Sequence, residues 1–510
     1  MSTRPNILLI MADQMAAPAL PPYGHKVVKA PNIVALADEG IVFETAYCNF
    51  PLCAPSRFSM LAGRLPSAIE AFDNASEFPA STPTLPHYLQ GVGYHTILSG
   101  KMHFIGPDQL HGFAERLTTD IYPADFEWTP DWKTGEYGFY SPGMNWQTVA
   151  ESGPCFRSLQ IDYDDEVERK SIQKLYDLAR EARDEPFFMC VSFTHPHPPY
   201  CALEEYWGRY EGESIDLPGV PGIPLDRMDM MSRWIQFTHG LHEHALPPAA
   251  VRNARRAYYG MIGYVDDKVG RLLESLSRCD FAKNTIVVFT VDHGDMLGER
   301  GMWYKRAFFE WSARVPLIVH YPQRFAPHRV RKVVSLVDLL PTLLDLATDG
   351  KQPHYIDPLA GSSMVKLLEG SDPGWPDAAI SEYMAEGVTG PCRMIRHGAF
   401  KYIYTDGHPD LLFDLTSDPS ELENIAARKP EIVELLRKKL FAGWDPAEVK
   451  HRVLASQRRR LFMKDLPSER KPSWDYQATV DDSKRFVRGG SAREIKGRRR
   501  WPPISPARGG

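Results

Sequence analysis

Cysteine is scarce in this chain, and no two cysteines form a CxxC pair. The 510 residues include only seven cysteines, an odd number spread along the sequence. A disulfide framework or a zinc ribbon needs cysteines at paired, characteristic spacings, so neither is indicated. We therefore expect free thiols and a reducing, cytoplasmic location.

Long apolar runs and excess basic charge are missing as well. The run near the amino terminus, "NILLIM" (6–11), is too short for a membrane span and lacks the flanks of a signal peptide. The 59 Lys and Arg residues face 65 Asp and Glu residues, which gives a net charge of -6. These features argue against a membrane protein and a nucleic-acid binder, and they favour a partner that is a small molecule.

Short apolar runs alternate with segments of helical periodicity. Five runs are typical of buried strands, and they cover residues 6–11, 95–100, 187–193, 285–291 and 315–321. This alternation predicts an α/β protein with a large, mostly parallel sheet between layers of helices.

Polar side chains come directly after the ends of four of these strands. They are Asp13 and Gln14, Lys101 and His103, His195 and His197, and Asp292 and His293. Open α/β sheets bind ligands at the carboxyl ends of their strands, so we expect these side chains to share one site.

The residue pattern and composition of the sequence change twice towards the carboxyl terminus. We predict a catalytic domain at 1–355, followed at 356–450 by a subdomain with a small antiparallel sheet and a helix. The remainder, 451–510, is rich in Arg, Pro and Gly and is predicted to be an extended arm.

Two groups of polar residues suggest a chemistry for the shared site. Carboxylate, amide and imidazole groups could hold one divalent cation, Ca²⁺, Mn²⁺ or Mg²⁺, although each acid could equally cap a helix or open a turn. The residues of this first group are Asp13, Gln14, Asp292 and His293. The second group could surround a tetrahedral oxyanion, or be ordinary solvated side chains, and comprises Arg57, Lys101, Lys305, His103 and His197.

Cys53 lies in the turn "PLCAPSR", four residues before Arg57. The segment "CAPSR" resembles the Cys-x-Pro-x-Arg signature of type I sulfatases in the alkaline phosphatase superfamily. "LSGKMH", "THPHPP" and "DHGDMLGERGMWYK" are similar to that family's other motifs and follow in the same order. The resemblance implies an alkaline phosphatase-like fold and conversion of Cys53 to formylglycine by a formylglycine-generating enzyme.

The resemblance also implies a reaction. One oxygen of the hydrated aldehyde at residue 53 would attack sulfur, and the second hydroxyl would then expel sulfate. Arg57 would hold the diol, while Lys101 and Lys305 would grip the sulfate oxygens.

Roles for the histidines and the metal ligands follow from the same resemblance. His103 would remove the proton that drives expulsion, and His197 would act as an acid at the leaving oxygen. His195, which precedes His197 in the same motif, is expected to have a structural role. The implied metal ligands are Asp13, Gln14, Asp292, His293 and the converted Cys53.

Two other activities remain open on the sequence. Phosphonate monoester hydrolases share the converted cysteine and the metal-ligand types, but Lys101 and His103 resemble the sulfatase pattern and favour a sulfate ester. In a different class, an anion-binding protein without catalysis would keep Cys53 as a thiol.

Several segments resemble choline-sulfatases in particular. They include "GPDQLHGFAERLTTDIYPADFEWTPDW" (106–132) and "QIDYDDEV". Trp128 and Glu386 match the positions at which that family contacts choline, since an aromatic face and a carboxylate bind a quaternary ammonium. Without the resemblance, Trp128 would be assigned to the core and Glu386 to the surface.

The chain departs from the choline-sulfatase pattern in two places. Ser141 and Pro142 stand where the family has a His-Asn pair, with Asn145 nearby, which leaves another alkyl, aryl or sugar sulfate open. The family's tail reaches a neighbouring active site within a tetramer, and "WDYQ" (474–477) resembles its start, but the Arg-rich end does not match. The resemblance implies a homo-oligomer, a tetramer or a dimer.

Overall fold

A computed structural model describes residues 4–135, 141, 143–181, 184–351, 354–467 and 474. The strands are β1 (Asn6–Ala12), β2 (Ile41–Tyr47), β3 (His95–Gly100), β4 (Glu115–Arg116), β5 (Gly153–Cys155), β6 (Phe187–Ser192), β7 (Cys201–Leu203), β8 (Thr285–Val291), β9 (Arg314–His320), β10 (His328–Val330), β11 (Val334–Ser335), β12 (Ala378–Tyr383), β13 (Cys392–His397), β14 (Phe400–Thr405) and β15 (Leu411–Asp414). The α-helices are α1 (Pro31–Asp38), α2 (Cys53–Ala62), α3 (Leu85–Gly91), α4 (Trp146–Ala150), α5 (Leu159–Glu181), α6 (Glu204–Gly208), α7 (Met230–Thr238), α8 (Pro248–Arg278), α9 (Glu310–Ala313), α10 (Leu339–Thr348), α11 (Val365–Leu368), α12 (Pro430–Leu440) and α13 (Pro446–Lys464).

A nine-stranded sheet forms the centre of the protein. Its main path runs β10-β2-β9-β8-β1-β6-β3-β4, and β11 pairs with β2. The neighbours from β8 to β4 are all parallel, whereas β9 is antiparallel to both β8 and β2. The five strands predicted from apolar runs are all present, and the mostly parallel α/β fold is confirmed.

Helices cover both faces of this sheet, as the all-apolar strands require. Along β1, Leu9 and Met11 join one hydrophobic core, while Leu8 and Ile10 join the other. Successive residues of a strand point to opposite faces, so a run such as "NILLIMA" supplies both cores at once.

The carboxyl-terminal subdomain is built on a second sheet. Strands β12 to β15 form an antiparallel meander, and α12 packs on β13. Tyr383 and Met394 of this sheet belong to the same hydrophobic core as Phe50 and Leu343 of the larger part. The predicted sheet and helix are therefore confirmed, while the boundaries at 355 and 450 stay predictions.

The start of the predicted arm is helical. Helix α13 continues through residue 464, so the expectation of an extended conformation is wrong for 451–464. The Asp445 side chain caps this helix, Pro446 occupies its first turn, and buried Val449 and Val453 anchor it, features that outweigh the basic composition. After residue 467 the structure describes Trp474, whose ring packs against that of Phe126 with 5.1 Å between centroids. Within the described parts of the chain, no helix is long and apolar enough to cross a membrane.

Candidate active site

The parallel strands bring the predicted residues to one edge of the sheet. Asp13 directly follows β1, Lys101 follows β3 and Asp292 follows β8, while Cys53 is the first residue of α2. Gly100, just before Lys101, has φ +102° and leaves no room for a side chain, because a Cβ there would lie 2.0 Å from the Ser192 carbonyl oxygen. Every one of these placements agrees with the expectation of a shared site.

Four of the predicted metal ligands form a compact, buried group. Ligand atoms of Asp13, Cys53, Asp292 and His293 all lie within 4.8 Å of one another. Cys53 Sγ is 3.3 Å from His293 Nε2 and 3.8 Å from Asp13 Oδ1. Carboxylate oxygens and an imidazole nitrogen suit Ca²⁺, Mg²⁺ or Mn²⁺, so these donors fit the divalent ion that the sulfatase resemblance implies.

Gln14 is held with its carbonyl oxygen facing the same centre. Its Nε2 donates to Asp295 Oδ2 at 2.7 Å, which fixes the orientation of the amide, and its Oε1 accepts from Lys305 Nζ at 2.8 Å. Lys305 Nζ also lies 3.1 Å from Cys53 Sγ. The amide oxygen and Cys53 Sγ thus share Lys305 Nζ as a neighbour, a position from which this oxygen could join the carboxylates as a ligand of a hard cation.

Three buried cations surround these ligands. Arg57 Nη2 donates to Asp13 Oδ2 at 2.8 Å and its Nε donates to Asp292 Oδ2 at 2.9 Å. Lys101 Nζ pairs with Asp13 Oδ2 at 2.5 Å. With Lys305, these cations outnumber the two carboxylates, so the site can bind an oxyanion beside a metal ion.

The charges change the acidity of the central groups. Burial opposes ionisation of Cys53, but Lys101, Lys305 and His293 together hold its pKa well below the usual value. Burial likewise disfavours the charged form of Asp13, yet Lys101 and Arg57 lower the pKa of this carboxyl. Burial raises the pKa of Asp292 to about 6, although Arg57 opposes that change.

The two histidines implied in proton transfer are both neutral near pH 7. Burial lowers the pKa of His103, and burial together with Lys305 lowers that of His197 to about 4. His197 Nδ1 lies 2.7 Å from the Pro198 carbonyl oxygen and donates to it, which leaves Nε2 for other partners. The ring of His103 interacts with the Cys53 side chain, which opposes the lowering of its pKa.

His195 has the structural position expected of it. Its Nδ1 lies 2.6 Å from Asp164 Oδ2, and this carboxylate also accepts from the backbone of Thr194 and His195. His195 is thus held away from Cys53 and supports the turn that carries His197.

A cavity of about 520 Å³ opens over Cys53. Its walls include Cys53 and the two choline-matching positions, Trp128 and Glu386. The other lining residues that matter below are His103, Tyr122, Ser141, His197, Lys305, Arg306 and Lys464. Trp128 is 41% exposed and Glu386 is 6% exposed, so the sequence-only alternative of a core tryptophan and a surface carboxylate is wrong for both.

An aromatic contact joins the two ends of the cavity. The Trp128 ring lies edge-on to the ring of His103, at 5.6 Å between centroids, and 5.1 Å from that of Tyr122. Tyr122 in turn lies beneath Lys101, with Nζ 4.3 Å from its ring centroid. A group held against Trp128 is therefore next to the cations that would hold the anion.

The divergent segment is only partly involved in the cavity. Ser141 lines it, whereas Asn145 caps α4 by accepting from the backbone N–H groups of Gln147 and Thr148. Pro142 lies outside the described residues.

Sequence reasoning missed several residues that shape the site. Asp295 orients Gln14, and Asp120 accepts from the backbone N–H groups of Met102 and His103, where His103 has a positive φ of 61°. Arg306 and Lys464 line the cavity. Asp295 is the fourth residue of the segment "DHGDMLGERGMWYK" and could have been singled out, but no local signal marks the others.

Comparison with known families agrees with this geometry. The profile of the sulfatase family matches residues 5–349. Residues 298–443 match the carboxyl-terminal region of N-sulphoglucosamine sulphohydrolase, and residues 451–492 match the family described as the choline sulfatase enzyme C terminal.

Individual relatives cover nearly the whole chain. A choline-sulfatase from Rhizobium meliloti (strain 1021) is 42% identical over 95% of this chain and 96% of its own length. Arylsulfatase K from Gallus gallus is 30% identical over 86% of this chain and 82% of its own length.

Proteins of known structure have a similar fold. The structure of BT4656 in complex with its substrate, D-glucosamine-2-N,6-O-disulfate, has a TM-score of 0.68 at 26% identity and covers 87% of this chain and 99% of its own. Phosphonate monoester hydrolase of Agrobacterium radiobacter has a TM-score of 0.65 at 26% identity and covers 90% and 96%. The family match and the buried cysteine, metal-ligand and cation cluster lead to one conclusion: the chain belongs to the sulfatase family and is a sulfuric ester hydrolase.

Proposed function

We propose that the protein hydrolyses a small sulfate ester and that choline sulfate is its first candidate substrate. The observation that carries this choice is the cavity over Cys53, which has the exposed face of Trp128 and the carboxylate of Glu386 in its walls. An aromatic face and a carboxylate are the groups that bind a quaternary ammonium. The high identity to a relative named choline-sulfatase supports the same choice.

Two groups complete the site. A divalent ion, Ca²⁺ or Mn²⁺ with Mg²⁺ as a further possibility, would be held by Asp13, Gln14, Asp292, His293 and residue 53, and it would supply a positive charge that polarises oxygen. Formylglycine made from Cys53 by a formylglycine-generating enzyme would supply the nucleophile.

The cations of the chain bind and orient the sulfate group in this proposal. Lys101 and Lys305 point their ammonium groups into the space around residue 53, where they would hold sulfate oxygens by charge-assisted hydrogen bonds. Arg57 is locked by Asp13 and Asp292 and would keep the side chain of residue 53 in one orientation. Fixed donors of this kind stabilise developing charge better than mobile water does.

The histidines move the protons. Because His197 Nδ1 donates to Pro198, Nε2 is the position that would take up a proton and pass it to the leaving alcohol oxygen. The ring is neutral in the free protein, and the negative charge of a bound sulfate group would favour its protonation. His103 is neutral and its ring interacts with the side chain of residue 53, so it would accept the proton that drives sulfate release.

Three further parts of the proposal concern the surroundings of the enzyme. We infer a cytoplasmic location, a homo-oligomer that is a tetramer or a dimer, and transient contact with the formylglycine-generating enzyme. No nucleic acid or membrane takes part. Sedimentation of the purified protein tests the oligomer.

Mass analysis of the peptide containing Cys53, combined with sulfate release, tests the function. After co-expression with the converting enzyme, we expect the aldehyde form and release of sulfate from choline sulfate in metal-replete protein. A retained thiol with anion binding but no turnover would support a non-catalytic protein, and phosphonate hydrolysis without sulfate release would support a phosphonate monoester hydrolase.

One observation favours a second candidate within the same class. Arg306 forms an ion pair with Glu386, which cancels the negative charge of this carboxylate at the alcohol end of the cavity. An uncharged alkyl or sugar sulfate would suit such a wall, and a comparison of kcat/KM for choline sulfate with that for an uncharged ester separates the two candidates.

A further inference from the structure

Arg306 and Glu386 form a buried ion pair in the cavity wall. Arg306 Nη2 donates to Glu386 Oε1 at 2.7 Å and to Ser141 Oγ at 3.2 Å, while Nη1 lies 3.0 Å from His239 Nε2. Arg306 is only 1% exposed and Glu386 6%. These partners hold both terminal nitrogens of the guanidinium, so its charge stays beside the carboxylate.

His239 contributes no charge to this arrangement. Burial, reinforced by Arg306 and Lys305, holds the pKa of His239 well below its usual value, so its ring is a neutral acceptor. The positive charge of Arg306 is therefore balanced mainly by Glu386. The pair as a whole is neutral, which matters for any group bound against it.

One carboxylate oxygen remains available to a ligand. Glu386 Oε2 is buried and has no hydrogen-bond partner among the described residues. A quaternary ammonium has no N–H group to donate to this oxygen, and it gains only from net negative charge and from the face of Trp128. Because Arg306 cancels the net charge, the electrostatic part of that gain is small, whereas an uncharged group of the same shape keeps its contact with Trp128.

Ser141 is part of the same network. It is one of the two positions at which the chain departs from the choline-sulfatase pattern, and its hydroxyl accepts from Arg306. The departure and the ion pair thus occur together at one end of the cavity.

On the basis of the sulfate-ester hydrolysis proposed above, we propose that Arg306 is a specificity-determining residue that makes the wall of the cavity at Glu386 charge-neutral. The enzyme then binds uncharged alkyl sulfates almost as well as choline sulfate. Removal of the Arg306 charge leaves Glu386 as a bare carboxylate and creates a preference for the cation.

The test compares choline sulfate with 3,3-dimethylbutyl sulfate, in which carbon replaces the ammonium nitrogen. Binding of each ester is measured by calorimetry at pH 8 in the Cys53→Ala variant, which cannot turn the esters over. We expect this parent to prefer choline sulfate by less than tenfold. Arg306→Met, which keeps the length but not the charge, should raise the preference about tenfold, or about 1.4 kcal/mol. A unit charge that acts on the ammonium across roughly 6 Å, at an effective dielectric constant of roughly 40 in a cavity open to water, contributes this much.

Two control variants accompany the test in the same background. Arg306→Lys retains a cation beside Glu386 and should keep the preference of the parent. Arg300→Met removes an arginine that donates to the backbone of Ser420 and Glu421, outside this cavity, and should also leave the preference unchanged. General damage weakens both esters alike and cancels in the ratio.

A parent preference of tenfold or more would overturn the proposal, even if Arg306→Met failed to fold. The proposal would also be overturned if Arg306→Met raised the preference for choline sulfate by less than threefold. It would be overturned as well if the parent bound neither ester. Sulfate release by the chain with converted Cys53 is measured separately, so loss of the proposed function is distinguished from loss of the proposed selectivity.

Discussion

Replacement of Asp295 by asparagine should weaken metal binding although Asp295 is not a metal ligand in our proposal. Asp295 Oδ2 accepts from Gln14 Nε2 at 2.7 Å and from the Tyr200 hydroxyl at 2.8 Å. Its Oδ1 accepts from the backbone N–H groups of Leu297 and Tyr304 at 2.8 and 3.0 Å. An asparagine has one acceptor oxygen, so two of these four donors lose their partner.

The size of the loss in metal affinity depends on which two donors lose their acceptor at residue 295. If the asparagine amide faces Gln14, the two NH₂ groups repel, and the Gln14 amide rotates so that its oxygen no longer faces the metal site. Loss of such an orienting contact costs about 10–100-fold in metal affinity. Two lost hydrogen bonds within the core also lower the free energy of unfolding by about 1–3 kcal/mol.

Calorimetric titration of metal-free protein with Ca²⁺ and Mn²⁺ measures the first effect, and urea unfolding measures the second. Tyr200→Phe is the matched control, because it removes one donor to Asp295 but leaves the contact with Gln14. It should change metal affinity less than threefold. Unchanged metal affinity in Asp295→Asn, with the expected loss of stability, would refute the role of Asp295 in orienting Gln14.

Two further predictions concern the charges around residue 53. Lys101→Ala should lower kcat/KM for sulfate release by about 10²–10³, the loss typical of one fixed donor to a developing oxyanion; a retained main activity would instead favour a phosphonate substrate. In unconverted protein, Lys101, Lys305 and His293 lower the pKa of Cys53, so the thiolate persists as pH falls. The rate of iodoacetamide modification of Cys53, followed by mass analysis, should therefore stay nearly constant from pH 9 to pH 7. The rate for Cys155, whose pKa burial raises, should fall by more than about tenfold over that range, and a parallel fall for Cys53 would contradict the lowered pKa.

The reactive residues could be predicted because their positions depend on local sequence. Asp13, Lys101 and Asp292 each directly follow an apolar strand, and parallel strands bring such residues together whatever their separation in the chain. The "CAPSR" segment likewise marks its own position at the start of α2. Predicting this part of the site did not require knowledge of the strand order or of the register.

The supporting contacts could not be predicted in the same way. Asp295 and Gln14 are 281 residues apart, and Arg306 and Glu386 are 80 residues apart, with no local pattern that pairs them. The helical start of the predicted arm was missed for a similar reason, since buried Val449 and Val453 of α13 are few among many charged residues. Tertiary packing decides these features, and composition alone conceals them.

The two ends of the cavity differ in how they are held, and this difference bears on substrate choice. Arg57, Lys101 and Lys305 are fully buried and paired with acids or with Gln14, so a substitution at any one of them unbalances the whole charged cluster. Trp128 is 41% exposed, and its loss removes a contact surface without leaving a buried charge unpaired. A change at Trp128 can therefore alter the preference at small energetic cost, whereas a change at the buried Arg306–Glu386 pair leaves one charge unpaired, and the sulfate end is constrained throughout by its own electrostatics. A neutral Arg306–Glu386 pair beside an intact sulfate-binding cluster is the combination expected if the enzyme accepts uncharged sulfate esters as well as choline sulfate and hydrolyses both by the same reaction.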